Sequence, residues 1–326
     1  MANGEAQPTP VYGYSMTKRW TNSVEICVCT HRRKSLLEAL NSLNEDTISA
    51  DLPVSILVID NDDAPTAQRT TNEFAQTSEL PVRYLHYPGS NISIARNAAL
   101  VNSHARFLAF LDDDETAGPN WLFELIEKIS ETSASVVIGP VKSLYDSNAA
   151  QWIRTLDTHS TYPVFVDGVI QTGYSCNVIV DRQSAALEGL EFDLSLGRSG
   201  GEDTAFFANA FSRGALIEYA PNAVVYEKVL AERAQFSWLA KRRFRMGQTH
   251  GKIIRKSTGT IQQIRSFLTA MSKVAYCATI AIIAAFLPAK RNQACLRGAL
   301  HAGTASAFLG VRHIELYKTK TARTSQ

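Results

Sequence analysis

The sequence predicts an α/β protein built on an open, largely parallel sheet, with a helical appendage at the C-terminal end. Three observations predict it. Apolar segments of strand length alternate with segments of helical period over the first two thirds of the chain. Each strand-like segment runs straight into polar residues, and the carboxyl ends of strands are where such sheets bind ligands. After about Tyr226 the alternation stops, and basic and then uncharged apolar stretches replace it.

The elements follow in order. Val24 to Cys29 is the first strand and Val54 to Ile59 the second. Between them Ser35, with Glu38 three residues on, forms a capping box, and Leu36, Leu37, Leu40 and Leu43 make one helical face. Val82 to Tyr87 is a third strand, Ile92 to Val101 a helix, and Phe107 to Leu111 a fourth strand before a helix opening at Pro119. Ser135 to Val141 reads as a fifth strand. Ser199-Gly200-Gly201 leads into a helix over Thr204 to Phe211, and Ala223 to Tyr226 is a late strand. The expected organisation is a disordered lead over 1–21, an α/β domain over 22–228 and a basic, apolar helical region over 229–326.

Composition narrows the function. A chain of 326 residues with 45% hydrophobic content buries a large core. Thirty-three basic residues against 31 acidic ones give a formal charge of +2, which offers no argument for a nucleic-acid partner. The cysteines, Cys27, Cys29, Cys176, Cys277 and Cys295, are odd in number and lack CxxC spacing, so neither a disulfide framework nor a zinc site is expected. A reducing cytosol fits. Met1 to Thr21 lacks the apolar segment of a signal peptide.

The strand tips carry the chemistry. They read Thr30-His31-Arg32-Arg33, Asp60-Asn61-Asp62-Asp63, Pro88-Gly89-Ser90-Asn91 and Asp112-Asp113-Asp114. Any one of these suits an ordinary turn or cap; four in succession with charges of both signs suit a ligand site. If the chain stays extended past Leu111, Asp112 and Asp114 face one side and Asp113 points away, which leaves Asp113 and Glu115 as bystanders or local caps. Paired carboxylates of this kind suit Mg²⁺ or Mn²⁺ bridging to a phosphorylated ligand. Asp60 is placed to accept from a base or ribose, and the planar fork of Arg96 reaches base or phosphate. The acids Glu202 and Asp203 serve either as helix caps or as an acceptor-activating base.

These residues carry a resemblance. Cys29 to Arg33, Val58 to Asp62, Gly89 to Asn97, Phe110 to Asp114 and Gly200 to Asp203 resemble the ordered motif series of family 2 glycosyltransferases, over roughly residues 24 to 250. Within the family the chain is most similar to bacterial exopolysaccharide glucosyltransferases of the succinoglycan type, partly through Arg242-Arg243-Phe244-Arg245-Met246-Gly247-Gln248-Thr249-His250. The resemblance implies a GT-A, Rossmann-like fold, a UDP-sugar donor and transfer with inversion. It implies that Thr30 and Asp60 line the nucleoside and that Asp112 contacts the nucleoside side. Asp114, with Asp112, would hold a divalent metal against the diphosphate, and Asp203 would be the base, oriented by Glu202. Arg32, Arg96, Asp113, Arg242 and Arg243 complete the implied nucleotide-sugar-binding set. Where many relatives carry a histidine near the metal, this chain has Glu227-Lys228, so a third protein ligand is not expected. Trp152, His159, Tyr162 and Tyr174 are candidates for sugar stacking and equally for core.

Val274 to Leu287 is fourteen residues without a charge, short of a bilayer span and flanked by lysines and arginines. It suits peripheral contact with an anionic membrane surface, a buried helix or a span. A lipid-linked saccharide acceptor makes attachment to the cytoplasmic face of the inner membrane useful. Two other readings remain: a sugar-nucleotide pyrophosphorylase, whose glycine-rich phosphate loop is missing at the first strand tip, and a nucleotide-sugar-binding protein without catalysis.

Overall fold

The structure, a computed structural model, describes residues 21–45, 52–312 and 314. The lead expected over 1–21 falls outside them except for Thr21, which opens the first strand. In chain order the elements are β1 (Thr21–Thr30), α1 (Leu36–Glu45), β2 (Val54–Asp60), α2 (Gln68–Ala75), β3 (Val82–His86), α3 (Ile92–Asn102), β4 (Ala105–Asp112) and β5 (Glu115–Ala117). There follow α4 (Trp121–Thr132), β6 (Val136–Ile138), β7 (Val141–Tyr145), α5 (Gln151–Leu156), β8 (Phe165–Val166), β9 (Val169–Ile170), β10 (Asn177–Asp181), α6 (Glu202–Ser212), β11 (Ile217–Tyr219) and β12 (Val225–Val229). Three long helices close the series: α7 (Phe236–Ser257), α8 (Thr260–Ile283) and α9 (Pro288–Phe308).

Among the described residues the central sheet has seven strands in the order β11-β6-β10-β4-β1-β2-β3. β1, β2, β3 and β4 run parallel, and β10 is antiparallel to both β4 and β6. The two faces bury separate cores. One includes Val28, Leu40, Val58, Ala109 and Trp121; the other includes Cys27, Leu57, Ala98, Phe110 and Phe207. Residues alternate between these cores along each central strand, as a sheet covered on both sides requires.

Two expectations needed correction. The single strand expected over Ser135 to Val141 is split: β6 joins the central sheet, whereas β7 pairs with β12 in a second sheet ordered β5-β12-β7. Pro140 sits at the break and cannot donate to a ladder. Asn177 pins the corner, its Nδ2 donating to the carbonyls of Pro140 and Ala223 and its Oδ1 accepting from Trp121 Nε1. On α1, Leu36, Leu40 and Leu43 are buried but Leu37 is not, since a four-three spacing keeps one face and Leu37 turns off it. Glu38 pairs with Lys228 of β12.

The C-terminal helices form a layered hairpin. α9 packs between α7 and α8, and the α7 contact is close enough to need glycine on both sides. A Cβ on Gly247 would overlap the Leu300 carbonyl, and one on Gly303 the Phe244 carbonyl.

Candidate active site

β1 and β4 are neighbours from which the chain moves on in opposite directions along the strand order, β1 to β2 and β4 to β6, so their carboxyl ends frame the crevice at which such folds hold ligands. Register places Cys29 beside Asp112 and Thr30 beside Asp60. Four clusters meet along this edge.

The first surrounds Asp60. Its carboxylate is fully buried and accepts from the Asp62 N–H (3.0 Å), the Ala67 N–H (2.8 Å) and the Tyr84 hydroxyl (2.8 Å). Those bonds fold the loop after β2 and occupy the Asp60 carboxylate within the protein. Arg32, with φ 55°, turns its guanidinium onto Asp62 at 2.7 Å. Thr30 is buried at the tip of β1, beside the Asp113 carboxylate without reaching hydrogen-bond geometry.

The second cluster is the tip of β4. The chain does not stay extended: it turns at Asp113 and Asp114 and starts β5 at Glu115. Asp113 therefore does not point away. Its Oδ2 accepts from the His31 N–H at 3.3 Å and its Oδ1 lies 3.5 Å from Arg33 Nε, while Arg33 Nη2 lies 3.3 Å from Asp114. Burial, helped by the Asp114 charge and opposed by Arg33, pushes the Asp113 carboxyl up to about 7. Glu115 is no bystander either. It is buried, and its Oε2 accepts from the Asp112 N–H at 3.3 Å. Arg33 escaped the sequence reading because the left-handed turn at Arg32 exchanges which of the two arginines faces β4.

The third cluster joins distant segments. Arg96 on α3 is buried, with Nη1 2.6 Å from Glu202 Oε1 and Nη2 3.5 Å from Asp112 Oδ1. Its charge is held firmly: burial opposes it, but Glu202, Asp112 and Asp203 together raise its pKa further. Burial pushes the Glu202 carboxyl up despite Arg96. Asp203, next along α6, is half-buried, and its Oδ1 accepts from the Thr204 N–H at 2.6 Å. Both glycines before it have positive φ, 81° at Gly200 and 99° at Gly201, and a Cβ on Gly201 would lie 2.5 Å from Thr249 Cγ2 on α7. Arg245 of α7 donates to the Ser199 carbonyl at 2.5 Å. α7 thus seats the segment carrying Glu202 and Asp203.

The fourth cluster brings in Arg233, which the sequence did not single out. Arg233 Nη1 lies 3.1 Å from Glu227 and 3.9 Å from Asp114. Pairing of β12 with β5 sets Glu227 opposite Glu115, so the position taken by histidine in relatives here adds a carboxylate beside the β4 acids. Arg233 and Arg242 both lie over the Trp238 ring, at 5.9 and 5.5 Å. Arg243 is turned toward the Thr158 carbonyl, a long contact of 3.5 Å. Of the stacking candidates, His159 is buried and stacked on Trp238, Trp152 meets Phe236 edge-on, and Tyr174 donates to the Gly139 carbonyl at 2.7 Å. Tyr162 is 47% exposed and keeps an open ring.

The carboxylates fit a hard divalent cation. Asp112 and Asp114 have 35% and 24% of their side chains exposed at the crevice, and burial together with Asp114 and Glu202 raises the Asp112 carboxyl against the pull of Arg96. Burial and crowding by neighbouring acids likewise raise Glu115 and Glu227. A cation relieves that repulsion. Asp112, Glu115 and Cys176 bring ligand atoms within 4.8 Å of one another. Burial pushes the Cys176 thiol up, however, and a protonated thiol does not suit Mg²⁺ or Mn²⁺, which leaves an all-carboxylate set.

The family model described as Glycosyl transferase family 2 matches residues 25–186. The chain is 44% identical over 297 residues to the Succinoglycan biosynthesis protein ExoM of Rhizobium meliloti (strain 1021), covering 91% of this chain and 96% of that one. It is 23% identical over 241 residues to the Glucosyl-dolichyl phosphate glucuronosyltransferase of Haloferax volcanii, covering 69% and 75%. Among solved structures, S. aureus TarS 1-349 in complex with UDP aligns with a TM-score of 0.50 at 16% identity, over 90% of this chain and 93% of that one. That likeness, with the central sheet and the family match, identifies the fold as GT-A.

Proposed function

The chain belongs to glycosyltransferase family 2, and on that premise we propose that it transfers a sugar, glucose, from a UDP-sugar with inversion to a lipid-linked or oligosaccharide acceptor. The 44% identity to a succinoglycan biosynthesis protein supports a place in bacterial exopolysaccharide synthesis, at the cytoplasmic face of the inner membrane. Residues 22–228 form the catalytic unit in this reading and 229–326 its appendage.

The observation that carries the reading is the Arg96 bridge, 2.6 Å to Glu202 and 3.5 Å to Asp112, which fixes the donor-side acid and the segment bearing the base in one frame. Inverting transfer requires a base that takes the acceptor hydroxyl proton on the face opposite the leaving group. Asp203 is more open than Glu202 and fills that role; Glu202, spent on Arg96, positions the helix start. Thr30, Asp60 and the loop that Arg32 clamps through Asp62 shape the nucleoside end. Asp114 and Asp112 would hold Mg²⁺ or Mn²⁺, which when bound supplies positive charge to the departing diphosphate. Arg33, Arg233 and Arg242 add fixed positive charge around the same acids. Arg243, with its neighbour, completes the basic opening turns of α7.

The test is incubation with UDP-glucose, Mn²⁺ and a membrane lipid extract. Sugar should move to lipid without any requirement for sugar phosphate. Release of UTP on adding pyrophosphate would favour a pyrophosphorylase instead. Tight UDP-glucose binding with neither reaction would leave a non-catalytic binding protein.

A further inference from the structure

We propose that the outward face of α8 docks on an anionic lipid bilayer and lies in the plane of its surface. The charge distribution carries the first half of this inference. Residues 236–314 hold 13 of the 33 lysines and arginines and none of the 31 aspartates and glutamates. The appendage is therefore +13 and the remainder −11, a segregation hidden by the whole-chain value of +2.

Exposure carries the second half. Ile261, Ile264, Leu268, Met271, Ile282 and Phe286 are exposed, with Phe286 at 97%. The first five, at steps of three, four, three and eleven, fall on one side of α8, and Phe286 follows in the turn just after the helix. The opposite side is already occupied. Ala270, Cys277 and Ala284, seven apart, are buried, and a Cβ on Gly298 of α9 would touch the Cys277 Cβ at 3.3 Å. The apolar side is thus a free face of a packed helix, and Phe286 at its end precedes exposed Lys290 and Arg291.

By length and composition α8 is the one helix among the described residues able to cross a membrane. Its charges and packing argue for the surface instead. Spanning would bury exposed Lys273 near the bilayer centre, whereas in the interface Lys273, on the side near His250 and His301, stays in water and Arg265, at the edge of the apolar stripe, reaches headgroups. A second copy of the chain is a poorer occupant, because two appendages of charge +13 would meet. An anionic leaflet attracts the same charge.

The placement rests on the proposed function for its purpose alone, since α7 links α9 to the glycine turn before Asp203 and so sets the site beside the surface that holds a lipid-linked acceptor. The experiment is sedimentation of the full chain with vesicles of phosphatidylcholine, with and without one third phosphatidylglycerol. Binding should need phosphatidylglycerol, weaken in high salt, and fall about tenfold or more in L268D/F286D, two exposed sites whose replacement leaves the fold intact. UDP-glucose hydrolysis, read in parallel, should be unchanged in that variant, which separates failure of docking from failure of the enzyme reading. Three results would overturn the proposal: no binding to phosphatidylglycerol vesicles, a variant that binds as the parent does, or a parent dimer that L268D/F286D converts to monomer with vesicle binding unaltered. Retention in the membrane after alkaline carbonate extraction would replace it with a span.

Discussion

Arg96 and Glu202, 106 residues apart in sequence, meet at 2.6 Å with less than a tenth of either side chain exposed. A pair buried this deeply is costly to break, because removing one partner strands the other charge without solvent. Arg96→Ala should lose about 3–5 kcal/mol of unfolding free energy in urea. The double variant Arg96→Met with Glu202→Leu should recover much of that stability and remain inactive. Recovery of activity along with stability would assign the pair a purely architectural part.

Asp203 differs from its neighbour in being half-exposed and in acting on Arg96 only at longer range, while Glu202 pairs with it at 2.6 Å. Asp203→Asn should leave UDP-sugar binding intact and lower turnover at least about a hundredfold, the usual contribution of a positioned base. Calorimetric donor binding and single-turnover rates check the two halves separately. Normal turnover removes Asp203 from the base role.

Asp114→Ala should abolish metal-dependent donor binding. Asp113 no longer reads as silent, because it shares Arg33 with Asp114 and accepts from the His31 N–H. Asp113→Ala should weaken donor binding about tenfold, roughly one hydrogen bond to a charged group. An unchanged dissociation constant would return Asp113 to the periphery.

How much of this was legible in the sequence depends on the range of the interaction. The strands β1, β2, β3 and β4 show as apolar runs and their tips as abrupt polar switches, because burial on both faces demands the first and the crevice the second. The acids Asp112 and Asp114 and the arginine Arg96 followed from motif order. Their partners did not. Glu202 reaches Arg96 through tertiary packing, Glu227 reaches Glu115 through a second sheet, and Arg33 replaces Arg32 through one left-handed residue. The split of β6 from β7 was signalled by Pro140 and read as continuous because the apolar pattern runs across it.

The α7–α9 contact makes another prediction. Gly247→Ala would drive a methyl group into the Leu300 carbonyl, and neither helix backbone can yield locally. A loss of about 1–3 kcal/mol is expected, as for other overpacked contacts, with reduced activity because Arg245 and Thr249 lose their seat against Ser199 and Gly201. Gly259→Ala, at a position with open space around it, is the control.

His159 ties the arginines to the protein body and gives the fold an acid limit. Its Nε2 lies 3.1 Å from the Arg233 carbonyl and its Nδ1 3.2 Å from the Tyr145 hydroxyl, partners that suit a neutral ring donating once and accepting once. Burial pushes its pKa down to about 4; the bond to Arg233 opposes this and the charges of Arg242, Arg233 and Arg243 add to it. In the unfolded chain the ring protonates near the ordinary value of about 6.5. Between those two values the unfolded state binds a proton that the folded state refuses, so the stabilisation is complete above the upper value and is lost as pH falls toward the lower. The full loss is about 3 kcal/mol, of which about 2 is spent by pH 5. Urea unfolding at pH 7.5 and pH 5 should show the parent losing about 2 kcal/mol relative to His159→Gln, which keeps a donor and an acceptor but does not titrate and shares every other titrating group. An equal response to pH in both would remove His159 from this role, since the raised carboxyls around Asp112 take up protons in the folded state and act in the opposite direction.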